Sequence, residues 1–367
     1  MRTILVTGGA GYIGSHTCQA LARAGWRPVV LDDLSSGHPW AVKWGPLEQG
    51  DVRDPARLDA VFARHAPAAV IHFAGLIEVG ASVRDPGAFY AVNVGGSLAL
   101  LAAMRRHGVN RLIFSSTCAV FGPPDRLPLD EDLPHRPISP YGASKAMVER
   151  ILADHAAAHG LRAVALRYFN AAGADPAAGL GEAHAPETHL IPLAIAAALG
   201  QRPALTLFGT DYDTPDGTCV RDFVHVDDLA AAHLLALDWT GREAGMHGFN
   251  LGNGVGYSVR EVIAAVERVG GRPVPVTFGP RRAGDPPHLV ADSRRIRARL
   301  GWTPRHPAID AIVASAWDWH HRVFPALPVP PPPPEALRPA QENDDTPPQA
   351  NREDAGESRR RSASAPG

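Results

Sequence analysis

Lysine is nearly missing from this chain. Of 367 residues only Lys43 and Lys145 are lysines, although Lys and Arg together number 36. Cysteine is scarce as well. Cys18, Cys118 and Cys219 are odd in number and far apart, so they predict neither a disulfide framework nor a metal site, and no metal centre is read from the sequence. Buried thiols in a reducing compartment account for them. Excess charge is also lacking: the net charge is −2, and the one block of like charge is Arg359-Arg360-Arg361. That excludes the basic footprint of a nucleic-acid binder. No apolar run approaches a bilayer span, and "MRTILVTGG" is too short an apolar stretch for a signal peptide. A cytoplasmic protein without a nucleic-acid or membrane partner is the expectation.

What is present is ample core material. Hydrophobic residues make up 45% and charged residues 20%, an ordinary globular balance. The length suits about two domains. The runs "TILVT" (3–7), "PVVLD" (28–32), "AAVIHF" (68–73), "RLIFSS" (111–116) and "RAVALRYF" (162–169) are near-continuously apolar, as parallel strands covered on both faces should be. Helical patterns at roughly 12–24, 55–65, 85–107 and 141–159 alternate with them. This predicts an α/β fold, a doubly wound (Rossmann) parallel sheet. After residue 170 the pattern loosens. "AAGADPAAGLGEAHAPE" reads as a loop, with helices near 189–200, 227–239 and 258–269 and short strands between them, forming a smaller C-terminal domain. From Pro325 onward lie eleven of the 35 prolines, and too few apolar residues remain for a core. That stretch reads as a disordered tail.

"LVTGGAGYIGSH" follows the first strand and opens the first helix. Gly9-x-Gly11-x-x-Gly14 matches the dinucleotide fingerprint, and Gly8, Gly11 and Gly14 also recur at threes. Glycines let the backbone turn tightly beside a pyrophosphate, and the helix start offers free N–H groups. The second strand ends in Asp32, 18 residues after Gly14. A carboxylate there accepts ribose hydroxyls and repels a 2′-phosphate, so NAD is preferred to NADP. Asp51 stands where it can reach the adenine edge, and Ala74-Gly75 lets a cofactor lie close to the chain. Asn93 is placed to bond the sheet edge or the cofactor.

"SPYGASK" holds one of the two lysines. Tyr141 and Lys145 are four apart and share a helix face. Composition alone predicts roughly 0.03 such pairs at this helical spacing. An arginine would supply the charge but not a compact ammonium that titrates. The pair suits proton exchange with an alcohol. A tyrosine pKa near 10 must fall by about three units to serve at neutral pH, at a cost of about 4 kcal/mol. Thr117, at the end of the fifth strand, is the expected hydroxyl partner.

Together these residues resemble the extended short-chain dehydrogenase/reductase family. "VIHFAGL", "FSST", "SPYGASK", "LRYFN", "RDFVHVDDLA", "NLGNGVGYSV" and "PRRAGD" are similar in order and spacing to its UDP-hexose 4-epimerases over about residues 1–320. The resemblance implies an NAD-dependent isomerase that interconverts UDP-glucose and UDP-galactose through a 4-keto sugar. It implies that Tyr141 is the base, Lys145 its partner and Thr117 the hydroxyl on the reacting oxygen. It places Gly8, Gly11, Tyr12, Ile13, Gly14, Asp32, Asp51, Val52, Phe73, Ala74, Gly75, Asn93 and Tyr168 at the cofactor, with Tyr141 and Lys145. It places Asn170, His189, Leu190, Phe208, Arg221, Arg282 and Asp285 at the UDP group, with Thr117. It further implies a homodimer through helices 85–107 and 141–159. The domains are then 1–170 plus about 219–245 for NAD, 171–218 plus 246–323 for the UDP-sugar, and 324–367 for the tail.

The sequence departs from the family pattern at Ile77, where some members have lysine, at Phe121 for tyrosine and at His189 for asparagine. Leu289 leaves open which sugar is preferred, a UDP-pentose or UDP-N-acetylhexosamine being the alternatives. A dehydratase is disfavoured because Thr117-Cys118-Ala119 lacks a carboxylate. The intact Tyr141, Lys145 and Thr117 set argues against a non-catalytic NAD-binding regulator.

Overall fold

Each of the apolar runs becomes a strand covered on both faces. The computed structural model describes residues 2–124, 126–282 and 285–323. The tail from 324, with the disorder expected of it, lies outside these. The first half runs β1 (Thr3–Thr7), α1 (Tyr12–Arg23), β2 (Arg27–Asp32), β3 (Leu47–Gln49), α2 (Pro55–His65), β4 (Ala69–His72), α3 (Val79–Arg84), α4 (Pro86–Phe89), α5 (Gly96–Arg106), β5 (Arg111–Thr117), α6 (Pro140–His159) and β6 (Arg162–Tyr168). The second half runs β7 (Asn170–Ala172), α7 (Leu190–Ala198), β8 (Leu205–Phe208), β9 (Val220–His225), α8 (Val226–Arg242), β10 (Gly245–Leu251), β11 (Gly256–Ser258), α9 (Val259–Gly270), β12 (Val276–Gly279), β13 (His288–Leu289), α10 (Arg294–Leu300) and α11 (Ile309–Asp318).

Seven strands form one parallel sheet in the order β10-β6-β5-β4-β1-β2-β3. Ile4, Leu5 and Val6 on the central strand are fully buried. On one face Cys18 and Leu21 of α1 and Leu229 and Leu237 of α8 pack against the strands. On the other lie Leu58 and Phe62 of α2, Leu100 and Met104 of α5, and Val148 and Leu152 of α6. Burial of each such side chain contributes roughly 1.5–3 kcal/mol. The chain winds outward in opposite directions from β1 and β4. The crevice beyond their carboxyl ends is where doubly wound sheets take ligands.

The structure departs from the sequence expectation in three places. β10 joins the main sheet, in register with β6 from Gly245↔Arg162 to Leu251↔Tyr168, whereas the sequence assigned residues from 246 to the second domain. "GMHGFNL" carries two glycines and a histidine, so it lacks the apolar signature; an edge strand needs no such run. The expected helix 85–107 is interrupted: Tyr90–Gly95 opens into a π-helical turn between α4 and α5. Lastly, Pro86–Arg106 is long and apolar enough to cross a membrane by length and composition. Here it packs on the sheet through Leu100, Leu101, Ala103 and Met104.

The remaining strands form two small sheets, β11-β9-β13 with β7 beside β9, and the pair β8 and β12. Around them α7, α9 and α11 share a separate core that includes Ile195, Val266 and Ile312.

Candidate functional site

The turn after β1 leaves no room for side chains. Gly8 has φ +72°, and a Cβ there would lie 2.6 Å from the Ala74 nitrogen at the end of β4. A Cβ on Gly14 would lie 2.3 Å from the Gly8 oxygen. The turn therefore passes close to both β4 and α1, and only glycine permits either approach. Gly11 is the N-cap of α1 and supplies no capping side chain. The first-turn N–H groups are left for an anionic group. Ile13 packs on the core, and the Tyr12 hydroxyl donates to the Gly173 carbonyl at 2.6 Å.

Asp32 is buried at the end of β2. Its Oδ2 accepts from Ala10 N–H and its Oδ1 from Leu34 N–H, each at 2.9 Å. Burial raises its pKa, and the two N–H donors oppose the rise. Each oxygen keeps a further lone pair for a ribose hydroxyl. Asp51 is differently placed: Arg53 binds its carboxylate through the side chain at 2.6 Å and the backbone N–H at 2.7 Å. Val52 beside it is buried.

At the end of β4, Phe73 and Ala74 N–H both bond the Thr7 carbonyl. A Cβ on Gly75 would meet Asn93 Oδ1 at 2.9 Å and Lys145 Nζ at 3.5 Å. Asn93 stands in the π-helical turn. Its Oδ1 accepts from Leu76 N–H at 2.8 Å, and its Nδ2 donates to the Leu76 carbonyl and to Ser144 Oγ. It thus ties the β4 loop to α6. Ile77 is exposed next to this loop.

α6 begins as the sequence predicts, with Ser139 Oγ accepting from Gly142 N–H. Tyr141 is therefore in the first turn and Lys145 one turn later. Lys145 is buried. Its Nζ donates to the Ser115 carbonyl at 3.0 Å and stands 4.9 Å from the Phe114 ring centre. Burial lowers its pKa to about 8. Thr117 is buried, hydrogen-bonds Tyr141 and accepts from Ala119 N–H at 3.1 Å. The expectation of a lowered Tyr141 pKa is not met in the protein alone. Burial pushes the phenol up to about 12, against the pull of the Thr117 hydrogen bond. Desolvation outweighs what the protein offers the phenolate. Tyr168 is buried at the end of β6, its hydroxyl bonded to Ser115 Oγ, and burial raises its pKa too.

Four of the residues expected around UDP converge. The Arg282 guanidinium lies 4.0 Å from the Phe208 ring centre. Arg221 Nη2 is 3.8 Å from Asp285 Oδ1, and its Nη1 donates to Pro286 O. Leu289 pairs with Arg221 across β13 and β9. Asn170 donates to the Asp222 carbonyl at 2.9 Å. His189 is the N-cap of α7, followed by Leu190, but its Nδ1 faces Glu182 at 2.5 Å. Phe121 is in the core, stacked under Arg167.

The sequence reading missed what supports the site. Ser116 and Arg167, on neighbouring strands, both bond Glu149 of α6. The stretch 173–187, read only as a loop, leans on the glycine turn. Besides the Tyr12 bond, His38 Nε2 is 2.6 Å from the Ala183 carbonyl, and Gln19 donates to Asp175. Lys43, the other lysine, donates to the Ala178 and Gly179 carbonyls. Gly181, Ala183 and His184 border a small pocket with Ala10, Gly11 and Tyr12.

Comparison with known proteins agrees with this geometry. Residues 4–252 match the NAD dependent epimerase/dehydratase family. A UDP-glucose 4-epimerase of Rhizobium leguminosarum bv. trifolii is 54% identical over 318 residues, covering 87% of this chain and 97% of the relative. The crystal structure of UDP-glucose 4-epimerase from Brucella ovis in complex with NAD superposes with a TM-score of 0.84 at 50% identity, over 86% of this chain and 98% of that one. The Bifidobacterium longum enzyme, in complex with NAD+ and UDP, gives 0.82 at 41% identity, over 86% and 97%.

Proposed function

The chain belongs to the NAD dependent epimerase/dehydratase family, and from that premise we propose that it interconverts UDP-glucose and UDP-galactose through a 4-keto sugar. The observation that carries this reading is the convergence of Tyr141, Lys145 and Thr117 at the carboxyl ends of β4 and β5, beside the glycine turn. NAD held there would supply a reversible hydride acceptor for C4 of the sugar and a positive ring charge that favours a phenolate.

The residues that hold it are Gly8, Gly11 and Gly14, the first-turn N–H groups of Tyr12 and Ile13, and Asp32. Tyr141 takes the proton from the 4-hydroxyl and later gives it back. Thr117 holds both the phenol and the reacting oxygen. Lys145 adds a positive charge that can titrate. The phenol starts near pKa 12, so reaching neutrality needs about 7 kcal/mol of differential stabilisation of the phenolate. That requirement couples proton removal to occupancy of the cofactor and sugar sites. Arg221 and Arg282 suit a diphosphate by charge and number of donors, and Asp285 suits ribose hydroxyls. The UDP part is gripped and the hexose is free to turn, which supplies retention of the intermediate from remote contacts.

The division proposed is a cofactor domain of 1–170 with 219–251, extended to include β10, and a UDP-sugar domain from the rest of the described chain. A homodimer is supported by apolar side chains left in the open on the helices concerned. Leu98 is 45% exposed and Met147 47%. A cytoplasmic location accords with three free cysteines.

The deciding experiment is conversion of UDP-galactose to UDP-glucose by purified protein without added NAD. Turnover is expected, with NAD released on denaturation. No turnover, with or without NAD, would overturn the proposal.

A further inference from the structure

We propose that Glu182, His184, Glu187 and His189 form a binding site for one divalent transition-metal ion of the Zn2+ class, set in the loop that closes on the glycine turn. One ligand atom from each of the four lies within 4.8 Å of the others. His184 Nδ1 is 3.0 Å from Glu182 Oε1 and 3.7 Å from Glu187 Oε2. His189 Nδ1 is 2.5 Å from Glu182 Oε1 and 3.3 Å from Glu187 Oε1. Zinc bonds of about 2.0–2.2 Å in a tetrahedron separate ligand atoms by roughly 3.3–3.6 Å. The observed spread brackets that value, and the Glu182–His189 contact would have to open by about 1 Å.

A second observation points the same way. Glu182 is only 4% exposed. Its Oε1 and the Nδ1 of His184 are both buried and 3.0 Å apart, with His189 Nδ1 against the same oxygen, yet neither atom has an aligned hydrogen bond. Poorly aligned contact leaves such atoms under-satisfied, and a cation between them would satisfy both. The loop that carries them is also held. The Glu182 main-chain carbonyl accepts from Trp319 Nε1 at 2.8 Å. Glu187 Oε1 accepts from the N–H groups of Thr188 and His189, which leaves Oε2 for an ion. Two carboxylates, two neutral imidazoles and a divalent ion make a neutral set. Imidazole with carboxylate and no thiolate selects Zn2+ or Co2+ over Cu+ or Ca2+.

Bound there, the ion would fix a loop already in touch with the cofactor cradle. The Tyr12 ring meets His184 edge-on at 6.3 Å, and Ala183 is bonded by His38. Only this consequence rests on the NAD reading; the ion site stands apart from it.

The test is direct titration of the chelator-treated, full-length protein with Zn2+, followed by calorimetry and thermal melting. The expected result is one ion per chain and a raised Tm, with Co2+ giving the visible bands of a tetrahedral site. His184→Ala and Glu187→Gln should weaken binding by more than the roughly 10–100-fold that loss of a supporting residue costs. No uptake by the unaltered protein would overturn the proposal; the four side chains would then be two imidazolium–carboxylate pairs. Equal binding by both variants and the unaltered chain would overturn it too. The metal readout fails independently of turnover.

Discussion

The Lys145 ammonium is bonded to the Ser115 main-chain carbonyl, at 3.0 Å across α6 and β5. The bond fixes a charged group that reaches both the end of β4 and the Tyr141 face of the helix. It also explains the residue choice in a chain otherwise reliant on arginine. The space is a slot between Phe114 and Gly75, wide enough for a compact ammonium but not for a planar fork with five donors.

That slot sets a pH dependence. Burial depresses the Lys145 pKa from 10.5 to about 8, so the folded protein carries a penalty for the charged form. Below pH 8 the group is protonated in both states and the penalty is complete. From pH 8 to 10.5 the unfolded chain binds more protons, and stability rises from this group alone. Tyr141 works oppositely: its folded pKa is about 12 against 10.0, so stability falls from pH 10 to 12. Lys145→Met should therefore raise unfolding stability at pH 7 by up to about 3 kcal/mol, an advantage that fades by pH 10.5. Urea titrations at several pH values, on variant and parent, check this. The same variant should lose about 10²–10⁴ in kcat, as for loss of an acid–base component.

Tyr141→Phe removes the proton acceptor and little else. A loss of about 10³ or more in kcat is expected, with calorimetric UDP affinity unchanged. Thr117→Ala should cost less, and Thr117→Ser should recover most of the loss because the hydroxyl returns. A Phe variant that turned over at the parental rate would sink the base assignment.

Much of this was legible in the sequence because the pattern is local. The glycine turn, Asp32 and the Tyr141–Lys145 spacing each lie within one turn or one strand–helix junction. What escaped depends on distance in the chain. β10 hid because an edge strand with two glycines has no apolar period. Asn93 could be named but not explained, since its partners Leu76 and Ser144 lie 17 and 51 residues away. The direction of the Tyr141 shift escaped for a different reason. Spacing shows which cation is near, but only packing shows how much water is gone.

Gly14→Ala tests the cradle. The added Cβ would stand 2.3 Å from the Gly8 oxygen and 2.8 Å from the Gly9 Cα, and neither backbone atom can swing aside. Overpacking of this kind costs roughly 1–3 kcal/mol. The turn must open, so the protein should purify with less NAD and melt earlier. Absorbance of a denatured extract measures the first effect and a thermal melt the second. Gly25→Ala is the control: unlike Gly14 it has positive φ, +82°, but its Cβ would meet nothing within 4 Å. It should lose stability through strain while keeping its NAD.

The last prediction concerns Glu149, which holds the strand ends under Thr117. It is 4% exposed and takes Arg167 in a two-pronged pair, at 2.9 Å from Nε and 2.6 Å from Nη2. It also accepts Ser116 Oγ at 2.5 Å, one residue before Thr117. Glu149→Gln leaves the Arg167 charge buried without its counterion, a change that costs about 3–5 kcal/mol. Removing both charges together, Glu149→Gln with Arg167→Met, should cost clearly less than the single change, because no uncompensated charge remains. Urea unfolding of the two variants and the parent gives the comparison. If the double variant folds well yet turns over slowly with UDP affinity retained, the pair acts on catalysis by positioning the Ser116–Thr117 strand end. If it turns over at the parental rate, the pair serves stability alone.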